Sequence, residues 1–150
     1  MVYDRGMPID PRLNEIDDCL YRVAVRALIV QNNKVLLVQE TLENWWALPG
    51  GGVNHGETVQ TTLAREIEEE LGVPASDISS DLQIIHYSIG AVVNAVPRMN
   101  LFLKATVPPG ALQPTNHVTT WDWFTREAFM AANLHSSYNK TELANVIFSN

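Results

Sequence analysis

Four carboxylates, Glu66, Glu68, Glu69 and Glu70, fall within five residues of the stretch PGGGVNHGETVQTTLAREIEEELGV, which runs from Pro49 to Val73. Side chains three or four apart on a helix are neighbours, so like charges at these spacings weaken an isolated helix by roughly 0.2–0.5 kcal/mol per pair. A shared divalent cation would relieve that repulsion, and hard oxygen donors of this kind suit magnesium or manganese. With about 100° of turn per residue, Val59, Leu63, Ala64, Ile67 and Leu71 form one apolar stripe. The pattern predicts a helix over Thr58 to Leu71, ended by Gly72 and Pro74. Glu66 and Glu70 lie one turn apart at the edge of the stripe with Glu69 beside them, while Glu68 points away. Three carboxylates are therefore expected to converge on one rim, beside a glycine-rich loop that exposes backbone carbonyls. A charge run alone is more often a solvated face, so the surroundings have to decide.

The elements that must position this helix are legible as runs of alternating or apolar character. YRVAVRALIV reads as a strand with Arg22, Ala24, Arg26, Leu28 and Val30 on one face, QNNK as a turn, and VLLVQE as the returning strand. WWALPGGG reads as a loop that only a glycine-rich backbone follows tightly. LQIIHYSIGAVV, MNLFLKATV and VTTWDWF are predicted strands, and PPGALQPTNH is a loop. TREAFMAANL and KTELANVIF are predicted short helices, the first capped by Thr125. Residues 1–18 read as an irregular arm. The expected architecture is an α/β (mixed α+β) arrangement with a mixed sheet between helical layers, in a single domain over residues 1–150.

Composition sets the broad limits. A chain of 150 residues with 46% hydrophobic and 18% charged residues has a core's worth of apolar side chains and does not resemble a disordered tail. Its single cysteine, Cys19, forms no internal disulfide and fits a reducing cytosol. The acidic, proline-broken opening is not a secretory signal, and the run VAVRALIV is interrupted by Arg26 and too short to span a bilayer. The expectation is a soluble, cytoplasmic protein with no membrane partner. A net charge of -7 argues against general nucleic-acid binding through a basic face. It leaves room for a small phosphorylated substrate, since a bound cation reverses the field locally.

Spacing around the acids carries the strongest signal. Gly51 is followed by five residues and Glu57, then by seven residues and Arg65, Glu66, Ile67, one free position, Glu69, Glu70, one free position, Gly72 and Val73. This arrangement resembles the Nudix box at every specified position, a match that chance supplies on the order of once in 10⁷ chains of this length. The flanks are similar too: a two-strand lead-in, WALPGGG before the box, and WDWF before a late helix. The resemblance implies the Nudix fold, a mixed sheet between helices, and hydrolysis of a diphosphate linkage in a nucleoside diphosphate joined to a further group X, supported by magnesium or manganese. Carried over position by position, it implies Glu66, Glu69 and Glu70 as side-chain metal ligands and the carbonyl of Gly50 or Gly51 as a backbone ligand. Glu57 and Arg65 support them in the catalytic set, Arg65 holding a glutamate through planar, charge-assisted contacts. The metals offset phosphate charge, orient the attacking water and lower its pKa, and a carboxylate takes its proton.

Which carboxylate is the base varies in the family between the first glutamate of the R-E pair, here Glu66, and a loop glutamate before the last strand. No acid occurs between Asp81 and Asp122, which favours Glu66. His117 lies in that loop, where a lone histidine is more often merely solvated. Arg22 and Arg26 are candidates for phosphate contact, with surface ion pairing as the alternative. Trp45 and Trp46 are candidates for stacking on a base, with ordinary core packing as the alternative. His86, Tyr87, Trp121 and Trp123 carry the same ambiguity, and His55, at a free position of the box, is expected in solvent. Markers that separate family subgroups are mostly missing: HYSIGA stands where ADP-ribose hydrolases tend to carry a proline, and Tyr87 is too early for the tyrosine of dinucleoside polyphosphate hydrolases. The expected substrate is a small nucleotide, a nucleoside triphosphate or a nucleotide sugar. The rival class is a Nudix-fold binding or sensing module without catalysis, but such proteins typically lose box glutamates or the arginine, and all are present here. Many family members are dimers, and nothing in the sequence specifies the interface of a homodimer.

Overall fold

The computed structural model describes residues 11–17, 19–40, 42–93, 96–135 and 137–149. Of the expected irregular arm, residues 1–10 and 18 lie outside the described residues, and Pro11–Glu15 forms a 3-10 turn. The strands are β1 (Arg22–Leu28), β2 (Val30–Gln31), β3 (Lys34–Glu40), β4 (Gly50–Gly52), β5 (Ser79–Val93), β6 (Val96–Thr106) and β7 (Val118–Phe124). The helices are α1 (Val59–Leu71), α2 (Arg126–Ala131) and α3 (Lys140–Ile147). One sheet is mixed, in the order β4-β1-β6-β5, and the other is antiparallel, in the order β2-β3-β7.

Two features depart from the pattern read in the sequence. The run expected as one strand divides after Leu28: β1 lies in the mixed sheet, whereas Val30 and Gln31 pair with Val35 and Lys34 in the other. Arg22, Ala24, Arg26 and Leu28 keep the alternation, and Val30 leaves it because the chain changes sheets at Ile29. The stretch expected as a glycine loop is instead a strand, with Gly50, Gly51 and Gly52 opposite Arg26, Val25 and Ala24. Period-two patterning cannot announce such a strand, since glycine has no side chain to alternate. On its other side β1 runs parallel to β6, with Arg22 opposite Arg98 and Arg26 opposite Phe102. Flanked on both edges, β1 is buried from Ala24 to Leu28.

Local chemistry explains the boundaries. Asn32 and Asn33 take left-handed conformations, φ 50° and 57°, which the tight β2–β3 hairpin requires and asparagine tolerates. Thr58 is the N-cap of α1 and not its first helical residue: its side chain accepts from the Thr61 N–H while Thr61 Oγ1 accepts from the Thr58 N–H, a capping box built from two threonines. Gly72, at φ 67°, closes the helix with its N–H on the Glu68 carbonyl. Thr125 caps α2 as expected, and Asn139 caps α3.

Two hydrophobic clusters set the layers. Leu63, Ile67 and Leu71 of α1 meet Val25, Ala27 and Leu103 on one side. Phe129 of α2 and Leu143 and Ile147 of α3 meet Leu28, Leu37 and Phe102 on the other. Helices thus cover opposite faces of the curled sheet structure, the mixed α+β sandwich expected. Among the described residues no helix is long and apolar enough to cross a membrane.

The capping box predicts a measurable stability effect. Thr58→Ala should cost about 1 kcal/mol and lower the melting temperature by roughly 2–4 °C, with Thr58→Asn restoring most of it in a thermal melt.

Candidate active site

Strand β4 and helix α1 meet along one edge of the mixed sheet, and the box residues lie between them. Arg65 is the hub. Its Nε and Nη2 donate to the two oxygens of Glu57 at 2.6 and 3.0 Å, a bidentate pair. Its Nη1 donates to Glu66 Oε1 at 2.7 Å and more weakly to Glu69 Oε2 at 3.4 Å. Nη2 also reaches the Gly52 carbonyl at 3.2 Å, tying helix to strand. Glu57 Oε2 further accepts from the Asn54 N–H at 3.0 Å and from Thr62 Oγ1 at 2.8 Å. These contacts, led by the Arg65 hydrogen bonds and followed by the Asn54 N–H, hold the Glu57 carboxyl down at about 2. In return, hydrogen bonding to Glu57 raises Arg65 above its ordinary value.

Glu70 has a different environment from the one its spacing suggests. It is 93% removed from solvent by residue exposure of 7%, and its Oε2 accepts from the Gly50 N–H at 2.9 Å. Burial pushes its pKa up to about 8; the Gly50 N–H and the Arg26 guanidinium oppose the rise, and the Glu66 and Glu40 carboxylates add to it. Glu40, at the end of β3, is a site neighbour that no motif singled out; a glutamate closing a strand carries no signal of its own. Thr62 is likewise buried on α1, beside the expected apolar stripe, because it supports Glu57.

The convergence expected of the three carboxylates is therefore only partial. Glu70 is buried, Glu66 is part-buried and Glu69 is exposed, with Arg65 holding Glu66 and Glu69 and the glycine strand holding Glu70. Among the described residues, no three His, Cys, Asp or Glu side chains stand close enough together to hold a metal. The donor set still fits a hard divalent cation: it consists of carboxylates on one helix facing backbone carbonyls of one strand. A Cβ at Gly51 would lie 2.3 Å from Glu66 Oε1, so the carboxylate occupies space that only glycine leaves.

The other candidates fall into two groups. Arg26 is 5% exposed, and its Nη1 donates to the carbonyls of Gly50 at 2.9 Å and Leu48 at 3.3 Å, so it is turned toward the glycine strand. Arg22 donates to the Val53 carbonyl and lies against Gly52. Trp45 and Trp46 sit with the C-terminal layer: Trp45 meets His135 edge-on at 5.7 Å and Trp46 meets Phe124 at 4.8 Å. Trp121 and Trp123 pack against the α1 core, Tyr87 is exposed, and His86 lies 3.8 Å from Glu142. His117 is exposed in a loop that docks on the end of α1 through Gln113 N–H to the Leu71 carbonyl and Thr115 Oγ1 to the Glu70 carbonyl.

A family model for the NUDIX domain matches residues 20–143, which contain every element of this site. The chain belongs to the NUDIX family. Nudix hydrolases generally use divalent metal ions, in keeping with the oxygen-rich donor set. Curated relatives include an ADP-ribose pyrophosphatase of Methanocaldococcus jannaschii, 44% identical over 54 residues that cover 34% of this chain and 32% of the relative. An RNA pyrophosphohydrolase of Edwardsiella ictaluri is 38% identical over 64 residues, covering 42% of this chain and 36% of the relative. The chain spans less than half the length of these curated relatives. A solved UDP-X diphosphatase superposes with a TM-score of 0.72 at 20% identity, over 89% of this chain and 64% of that one, a likeness of fold.

Two predictions follow from this Nudix geometry. At Gly50, φ is 140° and a Cβ would lie 2.1 Å from the Val25 carbonyl oxygen, whereas the Gly51 neighbour is the side-chain carboxylate of Glu66 and not backbone. Gly50→Ala should lower the melting temperature markedly, while Gly51→Ala should lower it less and displace Glu66 from Arg65, detectable as lost activity in a folded protein. The second concerns the metal-free protein. Between the ordinary value of 4.5 and about 8, folded Glu70 keeps a proton that the unfolded chain has released, so stability falls as pH rises through that window. Thermal melts in EDTA from about pH 5 to pH 8.5 should show a downward slope that Glu70→Gln removes.

Proposed function

We propose that this chain is a single-domain, metal-dependent hydrolase that splits the diphosphate linkage of a nucleoside diphosphate joined to a further group X. The observation that carries the reading is Arg65, which bridges Glu57, Glu66 and Glu69 and reaches the glycine strand. Catalysis rationalises these mutually constrained charges better than a solvated acidic face does, because a face of that kind needs neither the bridging arginine nor Gly51.

Glu66, Glu69 and Glu70, with the carbonyls of Gly50 and Gly51, would hold magnesium or manganese. When bound, the cation offsets phosphate charge and makes the attacking water more acidic. The protein's own residues supply orientation and proton transfer. Arg65 fixes Glu66 through Oε1, leaving the carboxylate to take a proton from water as the water oxygen bonds to phosphorus. The bond from that phosphorus to the bridging oxygen breaks, and the bridging oxygen departs with the other phosphate. The absence of any acid from residue 82 to residue 121 supports Glu66 as the base. Arg26 holds the Gly50 carbonyl while Glu70 holds the Gly50 N–H, which orients the two peptide planes that flank the Gly50 Cα. Arg22, which lies against Gly52, is the further arginine we assign to phosphate contact. The names of the relatives, an ADP-ribose pyrophosphatase and an RNA pyrophosphohydrolase, support diphosphate chemistry on nucleotides.

Release of phosphate or nucleoside monophosphate, with and without magnesium, across nucleoside triphosphates, nucleotide sugars, ADP-ribose and dinucleoside polyphosphates tests the proposal. Magnesium-dependent cleavage is expected. Glu66→Gln should lower kcat by roughly 10²–10⁴-fold while the circular dichroism spectrum stays native. Tight binding of one compound with no turnover of any would instead identify a sensing module.

A further inference from the structure

The mixed sheet ends in two unlike edges. Strand β4 is 3 residues long, and α1 is fastened along it through Glu70 and Arg65. Strand β5 runs for 15 residues, and among the described residues no strand pairs with its outer side. A long uncovered edge presents main-chain donors and acceptors to any second strand.

The side chains along that edge are apolar and exposed. Ile84, Tyr87 and Ile89 are 47%, 63% and 51% exposed. In a regular strand Ile84 and Tyr87, three residues apart, would point to opposite faces. The ladder with β6 slips by one residue between Ile84 and His86, so Ile84, Tyr87 and Ile89 stand opposite Leu103, Leu101 and Met99, which alternate regularly. The slip therefore gathers all three side chains on one face. From residue 82 to residue 97 there is no aspartate, glutamate, lysine or arginine, in a chain with 17 acidic residues and 10 lysines and arginines. Charges are a usual guard on an exposed edge, and this segment has none.

Three kinds of partner can be weighed against this edge. A charged peptide finds no opposite charge here to hold it. A helix has its own main-chain groups bonded internally and leaves those of the edge unused. A second copy of the chain meets both conditions. Two β5 strands running antiparallel about Ser88 put Tyr87 of each copy against Ile89 of the other, the reciprocal contact that a two-fold interface requires. A net charge of -7 drives copies apart in general, and the uncharged segment is where they meet without bringing like charges together. We propose that the chain forms a two-fold homodimer by pairing β5 with β5 of a second copy about Ser88, through Tyr87 and Ile89. The regular run from His86 to Ile89, in unbroken register with Phe102 to Met99, supplies the pairing segment. The inference is independent of the hydrolase reading, because β5 carries none of the residues of the reactive cluster.

Sedimentation velocity on the full chain, without metal or substrate, reads the association. A species of twice the 16.7 kDa chain mass is expected at concentrations of about 1–100 µM. Tyr87→Glu and Ile89→Lys, both at exposed positions, should each weaken dimerisation by about tenfold or more while the circular dichroism spectrum stays native. Mixed in equal amounts, the two variants should dimerise with each other, since the new carboxylate then faces the new ammonium and the second Tyr87–Ile89 contact is intact. Ser88→Cys in a Cys19→Ser background should cross-link two copies on oxidation, whereas Ser79→Cys, far from the axis, should not. A monomer throughout that concentration range overturns the proposal, and so does a dimer that neither charged substitution weakens. Variants that stay monomeric on mixing, or cross-linking at Ser79 and not at Ser88, overturn the pairing about Ser88.

Discussion

The buried hydrogen bond between Glu70 and the Gly50 N–H is the constraint around which the site is organised. A carboxylate withdrawn from water is costly unless it is neutralised or paired, and here one N–H, a neighbouring guanidinium and a raised pKa share that task. To supply the N–H, the chain must bring Gly50 up to α1 with an unusual φ and no Cβ. That in turn makes the glycines a strand paired to β1 and brings Arg26 within reach of the Gly50 carbonyl. Helix, strand and buried cation are consequences of one another.

Arg65 extends the same economy of position to the solvent side. Its guanidinium is one planar group with five donors, and it meets three carboxylates and a carbonyl. Lysine could balance part of the charge but could not hold Glu57 through paired contacts while reaching Glu66. The acids on and just before α1 thus differ in environment: Glu57 is held ionised by Arg65, Glu70 is driven by burial toward its neutral form, and Glu66 is fixed by the Arg65 Nη1. A divalent cation would draw against this arrangement as well as complete it, since the carboxylates are already engaged with Arg65 and the strand.

Much of this was legible along the chain. The apolar stripe, the glycine stop and the box spacing identify α1 and its acids, because helical period and cap chemistry are local properties. The two asparagines announce their hairpin for the same reason. Illegible were the conversion of a glycine loop into a strand and the change of sheet at Ile29. Glycine carries no alternating signal, and a strand's partner is chosen by chain segments distant in sequence. Trp45 and Trp46 show the same limit: a tryptophan beside a loop is equally suited to a nucleobase or to a core, and here the C-terminal layer engages both.

The sequence by itself determined the family, the sandwich of sheet and helices, and which residues carry charge at the reactive edge, since these follow from residue type and short-range spacing. Only the tertiary structure decided that Glu70 is buried and Glu69 exposed, that Arg26 turns to the glycine strand, that Glu40 joins the neighbourhood, and that Ile84, Tyr87 and Ile89 share one face of an edge strand. Burial, field and proximity depend on which distant segments pack together, and no local pattern encodes them.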